Sequence, residues 1–167
     1  AILASQQSWE EQIAHRFKET FTKMGGEVVS LEEPSFEATE VKTEVLKMKQ
    51  KQPEALFITS YLLLPKYIKE IRALGISVPT FSIELDQTVI DNSGSGSEGL
   101  VFIGPSAPSE EFVRKFKERW QSNPDIPAAS AYDAASMLFA AISKYGEDVS
   151  KIISHFSDFR GYDGVTG

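Results

Sequence analysis

The sequence of 167 residues predicts an α/β fold: a doubly wound, mostly parallel sheet followed by a helical segment. Three observations carry that expectation. Short apolar runs rich in Val, Ile, Leu and Phe recur roughly every 20 to 28 residues, the length of a βα unit. None alternates strictly between apolar and polar, which suits parallel strands covered on both faces. Helical patterns fill the intervals up to residue 104, and beyond it helices continue with no convincing strand.

The expected strands are "ILA" at 2–4, "EVVSL" at 27–31, "ALFIT" at 55–59, "PTFSI" at 79–83 and "LVFIG" at 100–104. After the first comes "SWEEQIAHRFKETFTKMGG". Ser8 is placed to cap this helix with Glu11 three residues on, a capping box. Trp9, Ile13, Phe17, Phe21 and Met24 form one apolar stripe, and Gly25-Gly26 end the helix. Val41, Val45 and Met48 repeat the pattern in the second helix, which Pro53 follows. The third, "LLLPKYIKEIRALG", tolerates Pro65 in its first turn and ends on Gly75. Past Pro105, "SEEFVRKFKERWQ" is amphipathic through Phe112, Phe116 and Trp120. "PAASAYDAASMLFAAISKYG" is apolar nearly all round and is expected to be buried between layers. A last helix, "EDVSKIISHFSDF", precedes the turn-rich "RGYDGVTG". Two parts are therefore expected, a lobe at 1–104 and a helical segment at 105–167.

Composition narrows the function. A net charge of −7 leaves no basic stripe to neutralise phosphate, which argues against a nucleic-acid or anionic-membrane partner. Cysteine is absent, so disulfides, thiolate nucleophiles and cysteine metal sites are excluded. No apolar run is long enough to span a bilayer, and no signal peptide is visible. The chain opens directly on "AILAS", which reads as an interior strand, so a longer natural protein is expected.

The stretch "NSGSGSEG" contains G-x-G-x-x-G at Gly94, Gly96 and Gly99. A dinucleotide fingerprint needs strand, glycines, then helix; here a helical turn precedes the glycines and a strand follows them. No H-E-x-x-H, G-x-S-x-G or Walker A pattern occurs, and neither His15 nor His155 has companions at metal-ligand spacing. No catalytic residue, metal or cofactor is expected. Glu10-Glu11 serve a helix N-terminus, where the dipole favours anions. Ligand candidates lie instead beyond the carboxyl ends of the strands, where α/β sheets place their ligands. They are Trp9 after the first strand, Ser60 and Tyr61 after the third, and Glu84 and Asp86 after the fourth. Aromatic bodies with a polar tip, plus a carboxylate, suit a small ligand carrying an ammonium group and an apolar part.

The succession "SQQSWEEQIAHRFKETFTKMGGEVV", "VLKMKQKQPEALFITSY", "KEIRALGISVPTFSI", "GSEGLVFIGPSAPSEEFVRKFKERW" and "ASAYDAASMLFAAI" resembles the type I periplasmic solute-binding proteins. The branch it is most similar to serves ABC transporters of branched-chain amino acids and amides. The resemblance covers the whole chain. It implies a two-lobed clamshell of Rossmann-like lobes that captures an amino acid or amide-like solute outside the cytoplasm and hands it to an ABC permease. Residues 1–104 would be the second lobe, and 105–167 helices that pack on a first lobe absent from this chain. The glycine loop would be a variable connection supplying reach. Trp9 matches the aromatic that packs on the ligand, Tyr61 with Ser60 the position after the third strand, and Glu84 the partner of an ammonium, with Asp86 as the alternative in a register slipped by two residues. The family more often has Tyr-Gly where this chain has Trp9-Glu10, and "SIELD" lacks the usual glycine near the acid.

A sensor module of a receptor is the variant reading, and a flavodoxin-like or Rossmann-like enzyme the alternative class. Such an enzyme needs a phosphate cradle in the first βα turn, and "SQQSWEE" puts a Trp and two carboxylates there. Without a first lobe, Met137, Leu138, Phe139 and Ile142 lack neighbours, so these helices are expected either to fold back on residues 1–104 in an arrangement foreign to the family or, the favoured reading, to be covered by a second copy in a symmetric or swapped homodimer.

Overall fold

The computed structural model describes residues 1–104, 106–158 and 160–166. The expected boundary residue Pro105, the Phe159 end of the last helix and Gly167 lie outside them. The chain divides into two compact units, Ala1–Gly104 and Pro105–Gly167.

The first unit holds a parallel sheet of strands β1 (Ile2–Leu3), β2 (Leu31–Glu32), β3 (Leu56–Ile58), β4 (Thr80–Ser82) and β5 (Val101–Phe102), in the order β2-β1-β3-β4-β5. Helices α1 (Ser8–Lys23), α2 (Lys42–Gln50), α3 (Leu64–Ala73) and α4 (Gln87–Ser93) connect them. The fold is the expected doubly wound one. Register pairs Ile2 with Leu31 and Phe57, and Phe57 with Phe81. Because side chains alternate across a strand, Leu3, Leu56 and Ile58 meet Val45, Met48, Tyr67, Ile68, Ile71 and Val89 of α2–α4 on one face. Ile2 and Ala4 meet Ala14 of α1 on the other. The chain thus changes sheet face between β1 and β3, and the crevice of a doubly wound sheet opens at that switch point.

The second face is covered less than the sequence predicts. Phe81 and Val101, in register with Ile2 and Phe57 on that face, are exposed, since α1 lies over β1 and its neighbours while β4 and β5 have no helix of this unit on that side. The apolar stripe of α1 follows suit: Trp9, Phe17, Phe21 and Met24 are exposed, whereas Glu10 and Ala14 are the buried residues. The capping box does not form. Gln7 is the N-cap without a side-chain bond, and Ser8 Oγ accepts instead from Gln12 at 3.2 Å. Nor is the glycine loop slack. It winds as a 3-10 turn over Gly94–Ser97, and Arg72 of α3 donates to the carbonyls of Gly96 at 3.0 Å and Glu98 at 2.7 Å.

The second unit contains α5 (Glu110–Trp120), α6 (Ile126–Tyr145) and α7 (Val149–Ser157). Ser109, Asp125 and Asp148 cap them, each accepting from a backbone N–H three residues on. Helix α6 departs from the sequence expectation of burial. Leu138, Phe139 (67% exposed) and Ile142 face solvent, while Ala129, Asp133 and Ala141 are buried. Asp133 ties the final segment down, accepting from Val165 N at 2.8 Å, Thr166 N at 3.0 Å and Thr166 Oγ1 at 2.7 Å.

Candidate functional site

The carboxyl edge of the sheet collects polar groups from three βα turns. At the end of β1, Ser5 is buried and Glu10, in the first turn of α1, is 0% exposed. Ser5 Oγ donates to Glu10 Oε2, and the backbone N–H of Tyr61 beyond β3 donates to Glu10 Oε1 at 2.8 Å. A carboxylate buried this deeply persists only where hydrogen bonds replace its water. It bridges the switch point between β1 and β3.

Ser60 is buried, and its Oγ accepts from Leu63 N at 3.3 Å, leading the chain into α3. Tyr61 is half-buried and points its hydroxyl at Asp86, donating to Oδ2 at 2.5 Å. That hydrogen bond, then burial, then the negative charges of Asp86 and Glu84 push the phenol up to about 12. Asp86 Oδ1 accepts from Val89 N at 2.8 Å, so Asp86 is the N-cap of α4. Both of its oxygens are therefore engaged within the fold. Glu84 differs. It is half-buried at the end of β4, its backbone carbonyl accepts from Ser82 Oγ at 3.2 Å, and its carboxylate has no hydrogen bond or ion pair among the described residues.

Of the residues singled out in the sequence, the structure joins Tyr61 to Asp86 and brings Glu84 close enough for its charge to act on the phenol. It sets Trp9 elsewhere: 40% exposed, on the flank of α1, in an open groove of about 590 Å³ lined also by Ile13, Arg16, Phe17 and Phe57. Neither Tyr61 nor Glu84 lines that groove.

Sequence reasoning missed Glu10 as an edge residue, assigning it to the helix dipole. The signal was its neighbour pattern, a carboxylate standing where the resemblance expects glycine. It also missed Thr59, whose Oγ1 is buried at the end of β3 with no hydrogen-bond partner, and Gln7, whose Oε1 is likewise unpartnered. Both are polar atoms at the same edge. Among the described residues no group of three or more His, Asp or Glu could hold a metal ion. His15 pairs with Glu33 at 3.1 Å and His155 packs against Tyr145 and Phe156.

A family profile described as periplasmic binding protein matches residues 1–167. No curated protein matches the chain. Among solved structures it is similar to a leucine-binding protein of Thermotoga maritima, at 22% identity and a TM-score of 0.86 over 99% of this chain and 51% of that one. A putative branched-chain amino acid ABC transporter protein of Rhodospirillum rubrum gives 22% identity and 0.82 over 99% and 51%. An ABC transporter solute-binding protein of R. palustris, solved in complex with benzoate, gives 20% and 0.79 over 99% and 49%. These likenesses show a shared fold. The chain spans about half the length of the structures it matches.

Proposed function

The chain belongs to the periplasmic binding protein family, and from that premise we propose that residues 1–104 are one lobe of a two-lobed solute receptor of an ABC transporter. The lobe takes hold of an amino acid or amide-like solute at its carboxyl sheet edge, in the periplasm or at the extracellular face of the membrane, for delivery to a permease. The family is one of binding proteins, and the proposal assigns no catalytic residue. Residues 105–167 are proposed to pack on the other lobe of the natural protein.

The observation that carries this reading is Glu84. Among the described residues its carboxylate has no hydrogen bond or ion pair, and it stands beside a Tyr61 hydroxyl already committed to Asp86. An ammonium group supplies what Glu84 lacks, and Tyr61 offers its ring face to the apolar part of the same ligand. Asp86, spent on Val89 and Tyr61, supports the wall. The buried Glu10 weighs against the alternative of a phosphate-binding enzyme, because it puts negative charge into the turn a phosphate would occupy.

Calorimetry on the natural protein containing this chain, with a panel of the common L-amino acids, tests the proposal. A charge-assisted hydrogen bond in a closed cleft is worth about 1.5–3 kcal/mol, so Glu84→Gln is expected to weaken binding roughly ten- to a hundred-fold. Binding left unchanged by both Glu84→Gln and Asp86→Asn refutes the site.

A further inference from the structure

Hydrogen bonds run without a break across the carboxyl edge, from Ser5 to Glu10, from Glu10 to the Tyr61 amide, from the Tyr61 hydroxyl to Asp86, and from Asp86 to the start of α4. They connect the turns that follow β1, β3 and β4. Of these bonds, the Glu10 link crosses the switch point, where the neighbouring strands send their helices to opposite faces. The strand ladder, with Thr59 N donating to the Leu3 carbonyl at 2.9 Å, and Tyr67 of α3, bonded to the Ala4 carbonyl, join β1 to β3 as far as Ala4. Beyond Ala4, Glu10 ties the turn after β1 to the turn after β3 from the edge.

We infer that Glu10 is a positioning residue for the ligand wall, clamping the turn after β1 to the turn after β3 and thereby fixing Tyr61 and, through Asp86, the turn that carries Glu84. The inference rests on the ligand reading of Tyr61 and Glu84. Three features of the side chain fit the task. It has two acceptor oxygens for two donors, the Ser5 hydroxyl and the Tyr61 N–H. Its two methylenes let a residue on the first turn of α1 reach the neighbouring strand end. And it is fully buried, so its bonds are not exchanged with water.

The clamp predicts a specific set of substitutions. Glutamine preserves it, because its amide oxygen accepts from Tyr61 N–H while its NH₂ donates to Ser5 Oγ. Aspartate keeps the charge but is one methylene short, and alanine removes the clamp. Two readouts on the natural protein separate the clamp from the ligand reading: the ionisation of Tyr61, followed by the ¹³C shift of its labelled phenol carbon, and calorimetric affinity for the L-amino-acid panel. With Glu10→Ala, Tyr61 is expected to leave Asp86, so that its ionisation falls from about 12 toward the ordinary tyrosine value near 10. Affinity should fall about tenfold, as loss of a charge-assisted hydrogen bond would produce. Glu10→Gln should retain both properties. If Glu10→Ala fails to fold, Glu10→Asp takes its place with the same expected direction. The clamp is overturned if Tyr61 titrates as in the wild type when residue 10 is Ala or Asp, or if Gln loses as much as Ala. A wild-type protein that binds none of the panel refutes the ligand reading, and the Tyr61 titration then decides the clamp alone.

Discussion

Tyr67 offers a clean measure of how the core supports the edge. It lies in the interior of α3, is fully buried, and its hydroxyl donates to the carbonyl of Ala4 at 2.8 Å, one residue from the buried Ser5. Burial drives its ionisation far above the ordinary tyrosine range, with the charges of Glu44, Glu10, Glu32 and Glu33 adding to the effect. Tyr67→Phe keeps the ring that fills the core and removes only the donor. A buried acceptor that loses its partner costs about 1–3 kcal/mol. For a chain of this size, each kcal/mol lowers Tm by about 2–4 °C, so a loss near the middle of that range is expected to lower Tm by about 4–8 °C. Tyr67→Ala adds the lost ring and a cavity, which raises the cost to about 3–5 kcal/mol. Urea unfolding followed by circular dichroism reads both, with the midpoint falling and the slope unchanged for Phe. A Phe variant within about 0.5 kcal/mol of wild type, the scatter of ordinary surface substitutions, would show that the Ala4 bond contributes nothing and that ring packing alone anchors α3 to β1.

Further outcomes follow from single contacts. Asp133 is pushed up by burial, but its bonds to Val165 N and to the Thr166 hydroxyl and amide outweigh that and hold its carboxyl below the usual range. A depressed carboxyl stabilises above its unfolded value near 3.9 and stops doing so as pH falls through the lower folded one. Amide exchange at Val165 and Thr166 should therefore rise in that acid window, and at neutral pH in Asp133→Ala; unaltered exchange in Asp133→Ala would dismiss the tether. Gly96→Ala places a Cβ 2.8 Å from Cγ2 of the buried Ile68. It should cost about 1–3 kcal/mol by overpacking, and a neutral result in urea unfolding would mean the loop lifts freely. The chain of 167 residues on its own is expected to sediment as a dimer at micromolar concentration, with Phe139→Glu returning it to monomer. A monomeric wild type refutes that expectation.

How legible each part was depends on whether its determinants are local. The strands and the first three helices announce themselves because βα periodicity is written within each segment, and Pro65 and Gly75 bracket α3 as their backbone preferences require. The centres of four strands were placed correctly and their lengths overstated, while the second, expected at 27–31, lies at Leu31–Glu32, since pairing distant strands decides where a ladder starts and stops. Apolar stripes misled where the burying partner is remote. Trp9, Phe17, Phe21 and Met24 share one face of α1 by helical spacing, and yet Met24 is 81% exposed. The same spacing in α2 produced the buried Val41, Val45 and Met48. Period tells which residues share a face; the sheet around them decides whether that face is covered.

The pair Trp9-Glu10 shows the limit most sharply. By side-chain type, the tryptophan belonged at the ligand edge and the glutamate at the helix terminus in water. In the fold, Trp9 lies on the flank of α1 over a groove that Phe57 also lines, and Glu10 turns inward to the switch point. Adjacent residues on a helix point about 100° apart, so once Ala14 is fixed against Ile2 and Ala4, Glu10, one helical turn before it, must face the sheet, and Trp9 cannot. Only a residue with partners waiting could occupy that place as a carboxylate. Ser5 and the Tyr61 N–H are those partners, and both lie at strand ends that no local pattern around Glu10 reveals.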